Sequence, residues 1–551
     1  MRKILMYSSF PFGREVTIPE ILNNNMIDNR VSNLAERQAL TRILLTKDAE
    51  LKTVSTSDDF SESELDDLGK NLDLFVIPAG GLLSAKHVDK LTWLTQLIHK
   101  LDAPCLAVGL GVDHDFVPEK IANDIEEVEE LEHLEEGKLI EQIEASQAEE
   151  YPEVEEYPEV EEYPEMRVGF PEDEYTHAVK AFVDAILAHS KSVGVLGETT
   201  ATYLQGLGYS SDQIDICGAP FMFNSGDKLP KLKTGILRRT SRVSYDFYPD
   251  QHEDTYTYIR NEAKKYQRSV YVTSQIYELR HLYLGKDYPE DFVQGLPADY
   301  PLHFTSPLIR NAQMVGVLDS QSWITFLGSR DFHFGSVPEA TIGAIHGGTP
   351  AILITDDEGA KEIADYHNLP YVSRPELEES KALTDTNDPI DILNLYVDAD
   401  FERIYEGHQE RFGHFLEFLD YNQVRHNMRS EITRMKTPYD EMLGDFKGYG
   451  TVFPLTKISL MEQETRLNEY INYSDQRYQK KAAEAEEQSM RLERQIAMLN
   501  ASIDKLKANL AERDQELAKA KGDNENKSKQ IEDMKEELEE IKSKRLYKIF
   551  H

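Results

Sequence analysis

Short apolar runs alternate with amphipathic segments over most of this chain, and this alternation constrains the fold more than any other feature. RKILMYSSF, NLDLFVIPAGGLL and PCLAVGLGVD are apolar, and helical patterns lie around Leu34–Leu45 and Lys90–Lys100. Strands buried on both faces of a parallel sheet read as continuous apolar runs, and the helices that connect them cover the two faces. The sequence therefore predicts an α/β fold built on parallel sheets.

The alternation of apolar and amphipathic segments resumes after residue 166, and a second such unit follows it. A helix over Tyr175–His189 precedes the strands KSVGVLGETT and IDICGAPFMF. After a polar link near residues 224–232, a second unit begins with KTGILRRTS and continues through RSVYVTSQ and WITFLGSRDFHFG to a last core strand, TPAILIT. Single cores rarely exceed about 250–300 residues. We therefore expect two Rossmann-like lobes, at 1–224 and 225–390, with a cleft between them.

Nearly half of the excess negative charge comes from one segment, residues 121–166, which interrupts the first lobe. It holds 19 Asp/Glu residues and one Lys, whereas the whole chain has a formal charge of −40. Its tandem YPEVEE repeat has a proline every six residues, which forbids a continuous helix, so we interpret it as a solvated acidic insertion. The chain has no long basic stretch to neutralise a phosphate backbone, and we expect no nucleic-acid partner.

A heptad pattern follows a largely helical region at 391–475 and occupies residues 476–551. One seam position holds Ile496, Ile503, Leu510, Leu517, Asn524, Ile531 and Leu538. The other seam position holds Leu492, Leu499, Leu506, Arg513, Ala520, Lys527, Met534 and Ile541. Such a repeat is typical of a coiled coil, so we expect a homo-oligomer held through it, with a lone solvated helix as the alternative.

Two further features bear on the compartment. Cys105 and Cys217 are the only cysteines, and both lie in apolar, strand-like runs, which is typical of a reducing compartment. The basic start is followed by an apolar run too short for a signal peptide, and no run approaches the ~18 apolar residues of a transmembrane helix. We therefore expect a cytoplasmic protein with no transmembrane segment.

In their order, several of these segments resemble the polysaccharide pyruvyl transferase family. PAGGLLS and AVGLGVD are similar to its Gly-rich strand ends, SVGVLGETTATYLQGLGY to its Arg-Gly-Glu-x-Thr segment, ICGAPFMF to its Gly-x-Pro strand, and the run from WITFLGSRDFHFG to YHNLPYV to its second-lobe signature. The resemblance covers roughly residues 1–375 outside the insertion. It implies lobes of glycosyltransferase-B type and transfer of a pyruvyl group from phosphoenolpyruvate to a sugar of a surface or exopolysaccharide precursor, with no cofactor.

Four basic positions of the family pattern are replaced in this chain. The expected arginines fall on Leu196, Val337 and Gly359, and the expected histidine falls on Glu339. Phosphoenolpyruvate carries a phosphate and a carboxylate, which guanidinium groups bind in bidentate geometry, so these losses weaken the expected donor site. The alternative interpretation is a catalytically inactive relative whose coiled coil assembles or scaffolds the machinery of cell-envelope glycan synthesis.

The candidate site residues follow from the resemblance and from residue chemistry. Glu339 and His333 are candidate catalytic groups, although Glu339 could be a mere substitute at an abandoned site and His333 a core histidine. The candidate substrate-binding residues are Gly80, Gly81, Gly109, Gly111, Glu198, Thr200, Arg238, Arg239, Arg330 and Ser336. The glycines equally serve tight turns, and the arginines near residue 238 equally form a solvated strand end. The sequence has no Cys/His spacing suited to zinc, and we expect no metal.

Overall fold

The computed structural model describes residues 1–56, 62–112, 172–383, 390–428 and 436–550. The acidic insertion predicted at 121–166 lies outside these residues. The chain divides into two compact units, Met1–Leu467 and Asn468–His551. The first unit contains the sheets, and the second contains most of one long helix.

Parallel strands form three sheets in the described part of the first unit. The strands are β1 Arg2–Tyr7, β2 Ala49–Val54, β3 Leu74–Pro78, β4 Cys105–Val108, β5 Val193–Val195, β6 Ile214–Ile216, β7 Arg242–Asp246, β8 Arg268–Thr273, β9 Met314–Gly316, β10 Phe332–Gly335, β11 Ala351–Thr355 and β12 Tyr371–Ser373. The first sheet has the order β2-β1-β3-β4, the second has the order β12-β11-β10-β7-β8-β9, and β5 pairs with β6. Every strand pair is parallel.

Helices connect the strands and cover the sheets. They are α1 Ile18–Asn23, α2 Val31–Leu44, α3 Glu62–Gly69, α4 Val88–Leu101, α5 Glu172–Leu187, α6 Glu198–Gly206, α7 Glu253–Lys264, α8 Ile276–Leu284, α9 Glu290–Val293, α10 Pro307–Arg310, α11 Ser320–Gly328, α12 Pro338–His346, α13 Glu358–His367, α14 Arg374–Leu383, α15 Ile392–Asp398, α16 His408–Tyr421, α17 Pro438–Leu443 and α18 Leu460–Phe550. Short 3-10 helices lie at Ala85–His87, Pro220–Phe223, Phe401–Tyr405 and Leu455–Lys457.

Three strands are buried along their whole length, as their apolar sequences predict. Every residue of β4, β10 and β11 is buried. The β5–β6 pair continues the edge of the first sheet, because the Leu110 amide donates to the Gly194 carbonyl at 2.8 Å and the Leu196 amide donates to the Leu110 carbonyl at 2.9 Å. The predicted α/β class is confirmed. We call the parts around the first and second sheets the first and second lobes.

Two expectations about the second lobe were wrong in detail. KTGILRRTS was predicted as its first strand, but that strand begins only at Arg242. The preceding segment is held by side chains instead of a strand neighbour: the Tyr396 hydroxyl lies 3.0 Å from the Gly235 amide and 2.8 Å from its carbonyl oxygen. TPAILIT is not the last strand either, because β12 follows it and pairs with β11.

The helices after the second sheet return to both lobes. Phe412, Phe415 and Phe418 of α16 belong to one hydrophobic cluster with Val76 and Leu106 of the first sheet. Ile392 of α15 belongs instead to the large cluster that includes Val243 and Phe332 of the second sheet. Helices α15 and α16, in the region predicted as helical at 391–475, therefore pack into these cores.

The predicted heptad region is helical, within α18. Its leucine, isoleucine and methionine seam side chains are exposed, between 45% for Ile503 and 66% for Leu510. The continuous helix agrees with the sequence pattern, whereas pairing into a coiled coil stays a prediction. Across the described residues, none of the helices has an apolar stretch long enough to cross a bilayer.

A glycine at the end of β10 provides a test of the sheet packing. A Cβ atom at Gly335 would lie 2.0 Å from Asp246 Oδ1 on the neighbouring strand, whereas a Cβ at exposed Gly235 would meet nothing within 4 Å. We expect Gly335→Ala to lower the free energy of unfolding by about 1–3 kcal/mol, the usual cost of overpacking. Gly235→Ala should change it by less than about 0.5 kcal/mol. Equal thermal midpoints for the two variants would contradict this packing.

Candidate functional site

A cavity of about 630 Å³ lies where the carboxyl ends of the two large sheets meet. Tyr7, Pro78 and Val108, the last residues of β1, β3 and β4, line its first wall. The second wall is built by segments that follow β7, β8, β10 and β11, with lining residues that include Tyr248, Gln275, Glu339 and Asp356. Parallel α/β sheets bind ligands at the carboxyl ends of their strands, so this cavity is the candidate site.

Two carboxyl groups, one from each lobe, line this cavity. Glu36 lies on α2 and Glu339 lies in the first turn of α12. Glu36 Oε2 accepts a hydrogen bond from the Phe221 amide at 2.8 Å, and the Tyr248 hydroxyl donates to Glu339 Oε2 at 3.5 Å. The removal of water from around both carboxyl groups shifts their pKa values more than any hydrogen bond does.

Burial raises the pKa of both carboxyl groups. The pKa of Glu339 rises from its ordinary value of 4.5 to about 7, chiefly through burial and further through the charge of Asp246. The pKa of Glu36 rises well above its ordinary value through burial and through the charge of Glu339. Both carboxyl groups in the cavity therefore hold a proton more tightly than a solvated glutamate does, and Glu339 is partly ionised at neutral pH, which suits acid–base chemistry.

A network beneath the cavity positions the turn that carries Glu339. The Val337 amide donates to Asp246 Oδ1 at 3.1 Å, and the Tyr248 amide donates to Ser336 Oγ at 3.2 Å. These contacts tie the turn between β10 and α12 to the loop that follows β7. Ser336 is 2% exposed and is not among the cavity-lining residues, so its contribution is to hold this turn.

His333 also lies beneath the cavity. Its side chain is fully buried on β10, with Nε2 3.1 Å from Asp246 Oδ2 and Nδ1 3.1 Å from Ser244 Oγ. It is not among the cavity-lining residues. The structure thus places His333 as a core histidine that supports Asp246, while Glu339 is the candidate catalytic residue that reaches the cavity.

The two walls carry opposite charge. The first lobe contributes the basic lining residues Arg30, Arg37, Lys86, His87 and Lys90, together with the acidic Asp28 and Glu36. The second lobe contributes the acidic lining residues Asp250, Asp291, Glu339, Asp356 and Asp357. Among the described lining residues of the second lobe there is no lysine or arginine. An anion in this cavity would therefore find positively charged side chains only on the first wall.

The ion pairs of the cavity show the positive potential of the first wall. Arg37 Nη2 lies 2.7 Å from Asp28 Oδ2. Although burial opposes ionisation of Asp28, the positive charges of Arg37 and Lys90 hold its pKa below the ordinary value. Arg30 reaches across to the second lobe, where it lies 3.1 Å from Asp250 and stacks 4.3 Å from the centre of the Tyr248 ring.

Three of the four candidate glycines line the cavity. Gly81 and Gly109 adopt left-handed backbone conformations with φ of +60° and +67°, which side chains rarely tolerate. Gly80 lines the cavity beside them. Gly111 lies instead under Leu196, because a Cβ there would be 2.2 Å from Leu196 Cδ1.

The four replaced basic positions have little room for the residues of the family pattern. Leu196 is 5% exposed and packs against the glycines, and Val337 is 1% exposed. Gly359 lines the cavity, but a Cβ there would lie 2.5 Å from the Val112 carbonyl oxygen. Glu339 alone among the four places a polar side chain at the cavity.

Thr200 joins the two lobes instead of lining the cavity. Its amide and hydroxyl donate to Glu362 of α13 at 3.0 and 2.7 Å, and its hydroxyl accepts from the Val112 amide at 3.2 Å. Burial raises the pKa of Glu362 to about 7. The neighbouring candidate Glu198 is exposed and does not line the cavity.

The candidate arginines lie at the other end of the second sheet. Arg238 and Arg239 are exposed and precede β7, and Arg330 precedes β10 and stacks 4.2 Å from the centre of the Phe326 ring. The amino ends of parallel strands lie at the edge opposite their carboxyl ends, so these side chains are not brought together with Glu339. None of the three lines the cavity.

Sequence reasoning missed several polar residues of the cavity and of the lobe interface. Glu36, Lys90 and Glu362 were not among the candidates, although each has a defined place in the geometry. The sequence offered one indication for Glu36: it is a charged residue in α2, a helix whose other residues are mostly buried. For Lys90 and Glu362, only the three-dimensional neighbours reveal the role.

Comparisons with known proteins give only distant structural matches. No family model and no curated protein matches the chain. Among solved structures, a candidate UDP-N-acetylglucosamine 2-epimerase from Listeria monocytogenes matches at 11% identity and a TM-score of 0.28, over 82% of this chain and 92% of its own. A UDP-N-acetylglucosamine 2-epimerase matches at 11% identity and a TM-score of 0.32, over 78% and 98%. The S. aureus MnaA–UDP structure matches at 11% identity and a TM-score of 0.29, over 74% and 91%. At these TM-scores the matches support no functional statement.

The raised pKa of Glu339 makes stability depend on pH in a defined direction. Because the folded state binds this proton more tightly than the unfolded state, the carboxyl lowers stability as pH rises from about 4.5 to about 7. We expect Glu339→Gln to raise the thermal midpoint relative to the parent at pH 8, with a much smaller difference at pH 4.5. Glu198→Gln, at an exposed position, is the matched control. A Glu339→Gln effect that is the same at both pH values would contradict the assignment.

Proposed function

We propose that this chain is a divergent polysaccharide pyruvyl transferase, which moves a pyruvyl group from phosphoenolpyruvate onto a sugar of a surface or exopolysaccharide precursor. The observation that carries the proposal is the pair of carboxyl groups with raised pKa, Glu36 and Glu339, in one cavity at the carboxyl ends of two parallel sheets. A glycosyltransferase-B arrangement of the two lobes is part of the same proposal, as is a cytoplasmic location.

Ketal formation needs an acid and a base that exchange roles. In the first addition, a sugar hydroxyl attacks C2 of phosphoenolpyruvate, Glu339 accepts the hydroxyl proton, and Glu36 donates a proton to the methylene carbon. In the second step, another hydroxyl displaces phosphate at C2, its proton returns to Glu36, and the proton on Glu339 leaves with phosphate. The products are a ketal with a new methyl group and inorganic phosphate, and both carboxyls regain their starting states.

The donor anion fits the first wall better than the second. Phosphoenolpyruvate is a trianion when fully ionised, and Arg37, Lys86 and Lys90 supply positive charge where the pKa of Asp28 is already lowered. Five acidic residues on the second wall would repel it. In this chain the donor site has therefore shifted to the first lobe, which offsets the loss of arginine at the family positions.

The sugar acceptor fits the second wall. Carboxylate oxygens such as those of Asp356 and Asp357 accept hydrogen bonds from hydroxyl groups, and uncharged sugars are not repelled by them. Tyr277 and Phe292 line the same wall and offer apolar ring surface to the C–H faces of a sugar. Acceptor hydroxyls held here would lie beside Glu339, the proposed base.

Phosphate release tests the proposal directly. Purified chain, incubated with phosphoenolpyruvate and a panel of candidate glycan acceptors, should release phosphate and form a pyruvylated sugar. Glu36→Gln and Glu339→Gln should each lower kcat by about 100-fold or more, the usual contribution of a positioned acid or base. Arg238→Ala is the control and should retain full activity, because Arg238 is exposed and does not line the cavity. Release that survives both glutamine substitutions would contradict the mechanism.

A lysine substitution separates donor binding from chemistry. Lys90→Ala should raise KM for phosphoenolpyruvate about tenfold or more, with a smaller change in kcat, because it removes positive charge from the first wall and leaves the carboxyl pair intact. Lys100→Ala, near the far end of the same helix and outside the cavity lining, is the matched control. Equal KM values for the two variants would show that phosphoenolpyruvate binds away from Lys90.

A second candidate function is a non-catalytic assembly protein for cell-envelope glycan synthesis. The apolar or glycine residues at positions 196, 337 and 359, together with the exposed seam of α18, favour it. Calorimetry distinguishes the two candidates without knowledge of the acceptor: an enzyme binds phosphoenolpyruvate, and Lys90→Ala weakens that binding. No detectable binding at millimolar phosphoenolpyruvate would favour the assembly role.

A further inference from the structure

One face of α18 is apolar and exposed to water. Over Leu492–Leu510 the seam positions are all Leu or Ile, spaced alternately by four and three residues, and their side chains are between 45% and 66% exposed. A second apolar stretch follows over Ile531–Ile541, where the seam side chains are between 50% and 59% exposed. A lone helix leaves this surface in water, whereas a second helix with the same repeat would bury it.

We propose that this face binds the same face of a second copy of the chain, as a parallel, in-register, two-stranded coiled coil. The inference is independent of the cavity and its chemistry. It goes beyond self-association as such, because the charges that flank the seam fix the direction and the alignment of the partner.

Over residues 516–542, the two rows beside the seam carry opposite charge. With Ile496 and its heptad equivalents at position a and Leu492 and its equivalents at position d, one flanking row is position e and the other is position g. The charged residues at e are Glu493, Lys507, Asp514, Lys521, Lys535 and Lys542. Up to residue 542, the charged residues at g are Glu516, Asp523 and Glu537. Between residues 516 and 542, every charged e residue is a lysine and every charged g residue is acidic.

This charge pattern selects the parallel direction. In a parallel pair, each g residue meets the e residue five positions later on the other chain, which joins Glu516 to Lys521 and Glu537 to Lys542 in both directions. No pair of like charges arises in this alignment from residue 495 to residue 542. In an antiparallel pair, e faces e and g faces g, so the acidic residues at g have only one another as charged partners. Neither the Glu516–Lys521 contact nor the Glu537–Lys542 contact forms in that arrangement.

The seam residues favour two chains in one alignment. Ile496 and Ile503 at position a with leucine at position d is the combination typical of parallel dimers. Asn524 at position a would meet Asn524 of the second copy, and such a buried amide pair fixes alignment at some cost in stability. Arg513 and Lys527 at position d weaken the seam around it, between the two apolar stretches. A shifted alignment would oppose Asn524 to an aliphatic side chain and break the charge pairs.

Disulfide trapping in the full chain tests direction and alignment. Leu499→Cys lies at position d, where the two sulfur atoms of a parallel, aligned pair are close enough to bond. Gln515→Cys, at the outward position f, is the matched control, and Cys105 and Cys217 are buried and should not compete. We expect the Leu499→Cys chain to become a covalent dimer of twice 63.2 kDa under mild oxidation, and the Gln515→Cys chain to stay uncrosslinked.

Two outcomes of the trapping experiment would overturn the proposal. A chain that sediments as a monomer at micromolar concentration would do so. Failure of Leu499→Cys to crosslink to itself, combined with crosslinking of a mixture of Leu499→Cys and Leu538→Cys chains, would show an antiparallel pair instead. In an antiparallel pair with full overlap, residue 499 at position d of one chain faces residue 538 at position a of the other.

Charge reversal tests the basis of the direction. Glu516→Lys with Glu537→Lys should raise the dissociation constant measured by sedimentation at least about tenfold, since it turns four attractive contacts per dimer into repulsive ones. Adding Lys521→Glu and Lys542→Glu to the same chain should restore the parent value. Glu512→Lys, at the outward position c, is the control for the change in net charge. Weakening by the first pair without rescue by the second would contradict the pairing.

Discussion

All strand pairs in the first unit run parallel, and the rest of the site depends on this constraint. A parallel sheet needs a crossover after each strand, so helices cover both faces and the strands become fully apolar. The carboxyl ends of the strands then lie at one edge, where the chain leaves the sheet and polar side chains can reach solvent. Because both large sheets present this edge to the same space, residues far apart in sequence, such as Glu36 and Glu339, line one cavity.

Water exclusion at this cavity gives its carboxyl groups their chemistry. A solvated glutamate is ionised at neutral pH and cannot serve as an acid, whereas burial raises the pKa of Glu36 well above its ordinary value and brings the pKa of Glu339 to about 7. The network of His333, Asp246 and Val337 fixes one of them, and the Phe221 amide fixes the other. The Thr200–Glu362 contact holds the two lobes together nearby. The positive first wall and the acidic second wall then divide the cavity between an anionic and an uncharged reactant.

The sequence predicts the features of this fold that depend on local patterns. Continuous apolar runs located β3, β4, β10 and β11, and the heptad repeat located α18. It missed β2, because only its last residue is buried and its sequence, AELKTV, is mostly polar. Among the candidate site residues, Gly80, Gly81, Gly109 and Glu339 line the cavity. The candidate arginines do not line it, because their position depends on which end of a strand they flank. KTGILRRTS resembles a strand, but Tyr396 holds it outside the sheet.

Direct titration of the two carboxyl groups tests the central claim without knowledge of the acceptor sugar. Carbon-13 NMR of chain labelled at the glutamate carboxyl carbon would follow each ionisation, with Glu36→Gln and Glu339→Gln chains assigning the two signals. The account predicts a midpoint near 7 for Glu339 and a midpoint well above the ordinary range for Glu36. Midpoints near 4.5 for both groups would show two solvated carboxylates, which contradicts an acid–base pair in this cavity.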